Sequence, residues 1–531
     1  MKILLIQPPV KDFYFTAKRS VPYGLISIAA SLRKADFDVE LIDALSTSKS
    51  KIIDMPREMA YLKNLFPSED ISPFSLFHHY RYYGYSLEHL GNLISKSGAN
   101  LVGVSSLFTA YSDEAYEIAN LVKEKLPNSQ IVFGGHHPTA MPEKVMVNPV
   151  IDYIIRGEGE IAFVQLALAL INKEPIDTIK GLVYRDKYGV VQLNPITFID
   201  NLDDLPLPAM DLVNNKFYGR KSGGSTVVLG SRGCPMKCSY CCVASPNSKY
   251  RKRSVESVFS EIKKSIDDYG VRFIDFEDEN LTLDKEWFYC LLNKLKINYS
   301  HINLELRAMN GLYPPTLDEK MLVEMKEAGF KVINLSLCTT SQKQLKRFKR
   351  ADVRESVEKL VITAKQCGMD VVCYIIAGTP GQNAHETIQD LIYLYQLDVV
   401  AGVSIFYPAP GSLEFERTKA KGLLPETLGL MRSSVIPISD TTSRLESVTL
   451  LRLGRILNFI KKLRDEGKLV KASPFDKQQS ENLNDRNGVG HYLVEAFLYD
   501  GNIRGVRQDG TIFCHETSIE LTKMFIQGIG F

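Results

Sequence analysis

At 531 residues the chain is too long for one ordinary domain, and an apolar content of 45% is ample for several cores. Lys and Arg number 64 against 62 Asp and Glu, a net charge of +2, so the chain has no global electrostatic footprint for nucleic acid or an anionic membrane. The opening run Lys2–Gln7 is too short for a secretory signal and no stretch approaches a membrane-crossing helix, so a cytoplasmic, soluble protein is expected.

The first part alternates strand and helix. Lys2–Gln7, Val39–Ile42, Leu101–Val104, Gln130–Phe133 and Asp152–Ile155 have strand length, and Pro8-Pro9 stop the first. Leu25, Ile28, Ala29 and Leu32 share one helical face. Ala115, Ile118, Ala119 and Val122 share another, with Ser112 expected as its N-cap. The alternation predicts a parallel sheet covered on both faces, where ligands sit past the carboxyl ends of the strands. Those ends carry Ser105-Ser106, Gly134-Gly135-His136-His137-Pro138 and Gly157-Glu158-Gly159-Glu160. Small residues there let backbone approach a ligand, although such turns also occur without one. The insertion from Ser46 to Ser95 is rich in Phe and Tyr and is expected to be a helical lobe, or else a wall for a flat or apolar ligand. Asn172 to Lys221 reads as a connector containing a hairpin, Gly181–Arg185 with Val190–Leu193, and a boundary falls near Asn201.

A second strand–helix series follows. Strands are expected at Thr226–Leu229, Val271–Phe276, Asn303–Leu306, Lys331–Leu337, Val371–Ala377 and Val403–Phe406, and a capping box at Thr316-Leu317-Asp318-Glu319. Six repeats suggest a partial barrel with functional groups at the strand C-termini. The first strand runs into Gly233-Cys234-Pro235-Met236-Lys237-Cys238-Ser239-Tyr240-Cys241-Cys242. Three thiolates on so tight a loop suit one iron–sulfur cluster, and with three ligands one iron stays open to bind a substrate. Zinc would want a fourth Cys or His, and no His lies between His137 and His301. Other strand ends carry Glu277, Asp278, Glu279 and Arg307, either ligand groups or solvated loop charges. From Leu424 the chain becomes helical and closes the open side of the barrel: a capping box at Ser443, a polar loop over Pro474–Gly490, and helices at His491–Leu498 and Ser518–Gly528.

The spacing of Cys234, Cys238 and Cys241, with Tyr240 before the third, resembles the radical S-adenosylmethionine (SAM) superfamily. The resemblance implies that these three cysteines hold a 4Fe-4S cluster, that Cys242 does not, and that Tyr240 lies near the adenine of SAM. It further implies SAM contacts from Glu277, Asp278, Glu279, Arg307 and Gly378. Where relatives commonly carry an acidic residue this chain has Cys338, which leaves the usual polar contact from that strand in doubt. The upstream series Pro22-Tyr23-Gly24-Leu25, Gly134–Pro138 and Gly157–Glu160 is similar to the cobalamin-dependent branch, whose N-terminal domain is a Rossmann-like cobalamin-binding domain. By that likeness Ser105, Ser106, Gly134, Gly135, His136, Gly157, Glu158 and Gly159 face cobalamin. Asp-x-His-x-x-Gly, which places a cobalt-ligating histidine in other cobalamin domains, is absent.

The expected architecture is α/β: a Rossmann-like cobalamin-binding domain over 1–200, a partial (β/α)6 TIM-type barrel over 201–423, and a small, mostly helical domain over 424–531. The resemblance implies a cobalamin-dependent radical SAM methyltransferase that moves a methyl group from methylcobalamin to an unactivated carbon of a small molecule through a 5′-deoxyadenosyl radical. An external donor of flavodoxin or ferredoxin type would supply electrons. Two alternatives stand beside it: a radical oxidase, cyclase or ring-contracting enzyme with the same cofactors, and a non-catalytic zinc protein.

Overall fold

A computed structural model describes residues 1–14, 21–220, 223–243, 249–436, 439–476 and 485–531. The expected connector end at Lys221 and positions 477–484 of the polar loop lie outside these residues.

The N-terminal sheet has seven strands. Lys2–Gln7 pairs in parallel with Asp38–Asp43 on one side and Leu101–Ser105 on the other; Gln130–Gly134 and Tyr153–Ile155 continue the parallel series. The order reverses at Lys2–Gln7, so a switch point opens beside its carboxyl end. Leu182–Arg185 and Val191–Leu193, read as part of a connector, instead extend this sheet as an antiparallel edge. The central strands are apolar along their whole length because helices cover both faces. Ser112 is the first residue of the helix Ser112–Lys125 and makes no cap bond; Tyr111 holds the N-cap position.

The insertion departs from the expected helical lobe. Val10–Asp12, Arg81–Tyr83 and Ser50–Ile52 form a small antiparallel sheet with the short helical turns Arg57–Met59 and Leu62–Leu65 beside it, and one full helix, Leu87–Ser97, closes the insertion. Arg81-Tyr82-Tyr83 suits a pleated, half-buried surface better than a helix. The aromatics gather into a cluster in which Phe13 meets Phe66 at 5.7 Å and Tyr80 at 5.3 Å, and Phe66 meets Phe77 at 5.0 Å.

The second half is built from two three-stranded parallel sheets: Gly224–Val228, Val271–Phe276 and Glu305–Arg307, then Val332–Cys338, Asp370–Ala377 and Val400–Ile405. Isolated parallel bridges, Leu306 with Phe330 and Leu312 with Leu335, join them into one open half-barrel. Asp318, not Thr316, caps the helix Glu319–Ala328, because Pro314–Thr316 forms a tight turn first. The edge strand is closed by the 22-residue helix Arg444–Asp465, which starts at the expected Ser443 capping box. Its Asn458 amide mimics a neighbouring strand, accepting from Ala401 N (2.8 Å) and donating to Ala401 O (2.9 Å). Lys461 donates to the carbonyls of Leu394, Leu397 and Val399 at 2.6–2.7 Å, and burial lowers its pKa to about 8. The tail also holds the insertion: buried Arg452 donates to Leu65 O and Phe74 O, and His515 bonds Asp70 at 2.9 Å. Sequence reading missed the hairpin Arg504–Val506 with Ile512–Cys514.

Candidate functional site

The cysteine loop leaves the end of Gly224–Val228 on an anchored stem. Asp278 accepts Gly230 N (3.0 Å) and Ser231 Oγ (2.5 Å), and the ring of Trp287 lies against Gly230. Ser231–Arg232 then pairs antiparallel with Arg251–Lys252, and Gly233 turns the chain at φ 81°. The middle of the loop is tied down as well: Ser239 N donates to Phe348 O (3.0 Å), Glu414 N to Ser239 O (2.9 Å), and Tyr240 meets Phe348 edge-on at 5.2 Å. None of the nine cysteines is in a disulfide. Cys238 is buried, Cys234 and Cys241 are half-buried, and burial raises the Cys234 thiol pKa. Arg350 Nη1 stands 3.8 Å from Cys238 Sγ, and the amide of Asn280 approaches Cys234. Among the described residues no group of three His, Cys, Asp or Glu side chains is gathered at one point. The donors on this loop are three soft thiols, which fit an iron–sulfur cluster by their chemistry.

The neighbouring strand ends sort into two kinds. Glu279 reaches solvent, accepts Gly233 N at 3.2 Å, and has its pKa raised by the protein around it. Arg307 is half-buried with its Nε unpartnered. Together they offer a carboxylate and a guanidinium, the complements of an amino acid's two ends. Gly378 is buried with φ 76° at the next turn, and Glu277 N closes on Val228 O. Asp278, expected in the same set, is 3% exposed and spends both oxygens on the loop stem. Burial pushes its pKa up to about 6. A folded-state pKa above 3.8 contributes stability that is full below that value and lost as pH rises through about 6. Asp278→Asn is expected to flatten a loss of roughly 3 kcal/mol between about pH 4 and 7, measured by chemical denaturation of the cofactor-free protein.

On the N-terminal sheet, the ends of Leu101–Ser105 and Gln130–Gly134 form a cradle. Gly135 has φ 118°, and a Cβ there would stand 2.6 Å from Ser106 O. Gly134 faces open space, with Ile155 O 4.0 Å from where a Cβ would be, and the buried Ser106 Oγ has no partner. His136 reaches solvent although surrounding protein lowers its pKa. His137 turns inward to Thr109 Oγ1 (3.2 Å) and Tyr116 Oη (3.3 Å), and burial lowers its pKa to about 4. Leu107 and Phe108 are 43% and 50% exposed beside this cradle. A flat apolar cofactor with polar edges suits such a surface.

The remaining predicted residues have other partners. Gly159 lets the helix Gly159–Asn172 close on the helix Tyr23–Lys34, where a Cβ would stand 2.8 Å from Ile28 Cδ1. Gly157 bends at φ 79° and donates to Thr139 Oγ1 at 3.0 Å. Glu158 turns toward the barrel: it accepts Arg251 Nη1 and Nη2 at 2.9 and 2.8 Å and Ile199 N at 2.8 Å, with Arg232 at 3.5 Å. Glu160 pairs with Arg232 at 2.5 Å. Burial opposes the Arg232 charge, but Glu160 and Glu158 outweigh it and raise its pKa. These four side chains clamp the strand-end loop of one sheet to a position two residues before Cys234.

The two sets of strand ends approach each other where the turn after Val400–Ile405 meets the helix His136–Ala140. Tyr407, at the end of Val400–Ile405, is 38% exposed; crowding protein raises its pKa, and both the Cys242 thiol and Tyr14 add to the effect. Tyr14 stacks on Phe77 of the insertion at 5.3 Å and 6°. Gly411 lies against Ala140, 3.7 Å from where a Cβ would be.

The radical SAM superfamily model matches residues 228–393, and the B12 binding domain model matches residues 74–167. The chain carries a radical SAM domain and, before it, a B12 binding domain. The B12 match spans the Ser105, Gly134 and Gly157 strand ends; the radical SAM match runs from the cysteine loop past Gly378. An uncharacterised methyltransferase of Pyrococcus horikoshii is 28% identical over 86% of this chain and 91% of its own length. Cytidylyl-2-hydroxyethylphosphonate methyltransferase of Streptomyces wedmorensis is 25% identical over 76% of this chain and 78% of its own. Among solved structures, the radical SAM methyltransferase TsrM of Kitasatospora setae aligns at TM-score 0.61 with 19% identity, covering 80% of this chain and 76% of that one. The cobalamin-dependent enzyme OxsB aligns at 0.63 with 15% identity, covering 94% and 72%. Around these two domains, sequence reading missed Arg232, Arg251, Asn280 and Arg350. The only linear signal was the density of arginines around the cysteine loop, which does not say which carboxylates they meet.

Proposed function

We propose that this chain is a cobalamin-dependent radical SAM methyltransferase acting on an unactivated carbon of a small-molecule substrate, and that an external one-electron carrier supports it in the cytoplasm. The observation that carries the reading is that the strand-end loops of the two halves meet beside the thiol loop: Glu158 and Glu160 bind Arg251 and Arg232 on its stem, and Gly411 of the barrel lies against Ala140. When bound, the cluster with SAM supplies hydrogen abstraction from carbon, and cobalamin supplies the methyl group.

The protein's own groups hold and orient. Cys234, Cys238 and Cys241 would hold the cluster. Glu279 would take the ammonium of SAM and Arg307 its carboxylate, with Tyr240 and Gly378 bordering it. Ser105, Ser106, Gly134, Gly135 and His136 would line the corrin. The committed bonds of Glu158 and Asp278 favour anchoring roles for both, and the packing of Gly159 on Ile28 favours a structural one.

A second reading, radical cyclisation, is favoured by one observation. An anaerobic magnesium-protoporphyrin IX monomethyl ester cyclase of Synechocystis is 28% identical, but over only 54% of this chain and 51% of its own. The methyltransferases match over more of both lengths. Anaerobic reconstitution with iron, sulfide and hydroxocobalamin tests the proposal. The expected result is a corrin band, 5′-deoxyadenosine formation, and a product heavier than its substrate by one CH2. A product of unchanged carbon count would overturn methylation.

A further inference from the structure

Between Lys343 and Arg350 the chain places Lys343, Lys346, Arg347, Lys349 and Arg350 with no acid among them, in a protein of net charge +2. The run forms the helix Gln342–Phe348, and Lys349 ends it in the left-handed conformation. This helix sits on the cysteine loop through Phe348, which accepts Ser239 N and packs on Tyr240. Arg347 faces inward and binds Glu414 at 2.6 Å; fully buried Glu414 also accepts Ser239 Oγ (2.9 Å) and Arg417 (2.7 Å). The inward charge is therefore compensated.

The outward charges are not. Lys343 is 71% exposed, with its nearest paired carboxylate, Glu386, at 3.9 Å. Lys346 and Lys349 are exposed and have no ion pair among the described residues. The acids beside this helix are Glu386, Asp352, which accepts Gln342 Nε2 at 2.6 Å and pairs with Arg354, and Asp440, which accepts Gly381 N and pairs with Lys421; none of them pairs with Lys346 or Lys349 among the described residues. The patch ends at Arg350, whose guanidinium stands 3.8 Å from Cys238 Sγ. A positive surface of this kind steers an acidic partner by its field and accelerates encounter in a salt-dependent way.

We infer that the basic face formed by Lys343, Lys346 and Lys349 over the cysteine loop is the docking surface of a small acidic one-electron carrier protein. The inference rests on the reading that Cys234, Cys238 and Cys241 hold the cluster. In the step it serves, the reduced carrier loses one electron and the oxidised cluster gains it; no bond or proton moves.

The test uses the full chain with reconstituted cluster, as wild type and as a Lys343→Glu, Lys346→Glu, Lys349→Glu variant. Reduction of the cluster is followed by stopped-flow absorbance with two donors, a fully reduced acidic flavodoxin and reduced methyl viologen, a small cation that needs no docking face. The variant should keep its iron content and visible spectrum. Its reduction by flavodoxin should slow at least about tenfold at low salt, its salt dependence should flatten, and reduction by methyl viologen should not slow. A triple Lys→Gln variant should fall between. An unchanged flavodoxin rate overturns the inference. So does equal slowing with both donors, or loss of the cluster in the variants, since either would give these lysines a role in the site itself. A wild-type chain that takes up no iron and sulfide sinks the cluster reading instead.

Discussion

Cys238→Ala is expected to leave a folded protein that has lost its brown colour, its bound iron and sulfide, and all SAM cleavage above background. Cys238 is the most enclosed of the three thiols, 7% exposed and faced by Arg350. Soft thiolates are what such a cluster requires, and two remaining sulfurs cannot hold it. The fold should survive, because removing one small buried side chain typically costs about 1 kcal/mol. Cys234→Ala and Cys241→Ala should behave alike. Cys242→Ala should retain colour and iron, since adjacent side chains on one loop do not both reach one centre. Iron and sulfide assay, visible absorbance and 5′-deoxyadenosine by chromatography measure all four. Retained colour and turnover in Cys238→Ala would end the cluster reading.

Glu158→Ala is expected to destabilise the union of the two sheets by about 3 kcal/mol, the usual cost of removing one partner from a buried pair. Glu158 and Arg251 are 12% and 9% exposed, and the deletion would strand the Arg251 guanidinium between domains. Burial opposes the Glu158 charge, but Arg251 and Arg232 outweigh it and lower its pKa. A depressed carboxyl pKa contributes stability that is present above the ordinary value of 4.5 and lost as pH falls through the folded value. The full effect should therefore appear at neutral pH and fade in acid. A charge-swapped protein, Glu158→Arg with Arg251→Glu, should recover part of the denaturation midpoint. If Glu158 served cobalamin instead, Glu158→Ala would lose the corrin band at unchanged stability.

Much of this was legible in the linear chain because the responsible signals are local. Three sulfurs within eight positions, strand runs ended by Pro8 or by Gly134-Gly135, and the Ser443 capping box all lie within a turn or two of chain. What stayed hidden depends on long-range pairing. Arg81-Tyr82-Tyr83 became a strand because Val10–Asp12 and Ser50–Ile52 flank it. Leu182–Leu193 has a hairpin's signature, and nothing in that signature says which sheet it joins. Asp278 and Glu279 are neighbours of like charge past the end of Val271–Phe276, and both accept from the cysteine-loop stem, yet Asp278 is buried there with both oxygens bonded while Glu279 is exposed, a difference that tertiary packing sets and the order of two acids does not.

The amino-acid order alone determined the alternation of strand and helix, the apolar stripes that drive two sheets to form, and the sulfur loop with its chemistry. Only the tertiary structure decided that the two sets of strand ends meet, that Glu158 and Glu160 bind arginines rather than stand open, and that Arg347 is neutralised while Lys346 is not. The physical reason is that a side chain's type follows from its own position. The partner that sets its charge, its exposure and its task is brought to it from scores or hundreds of residues away.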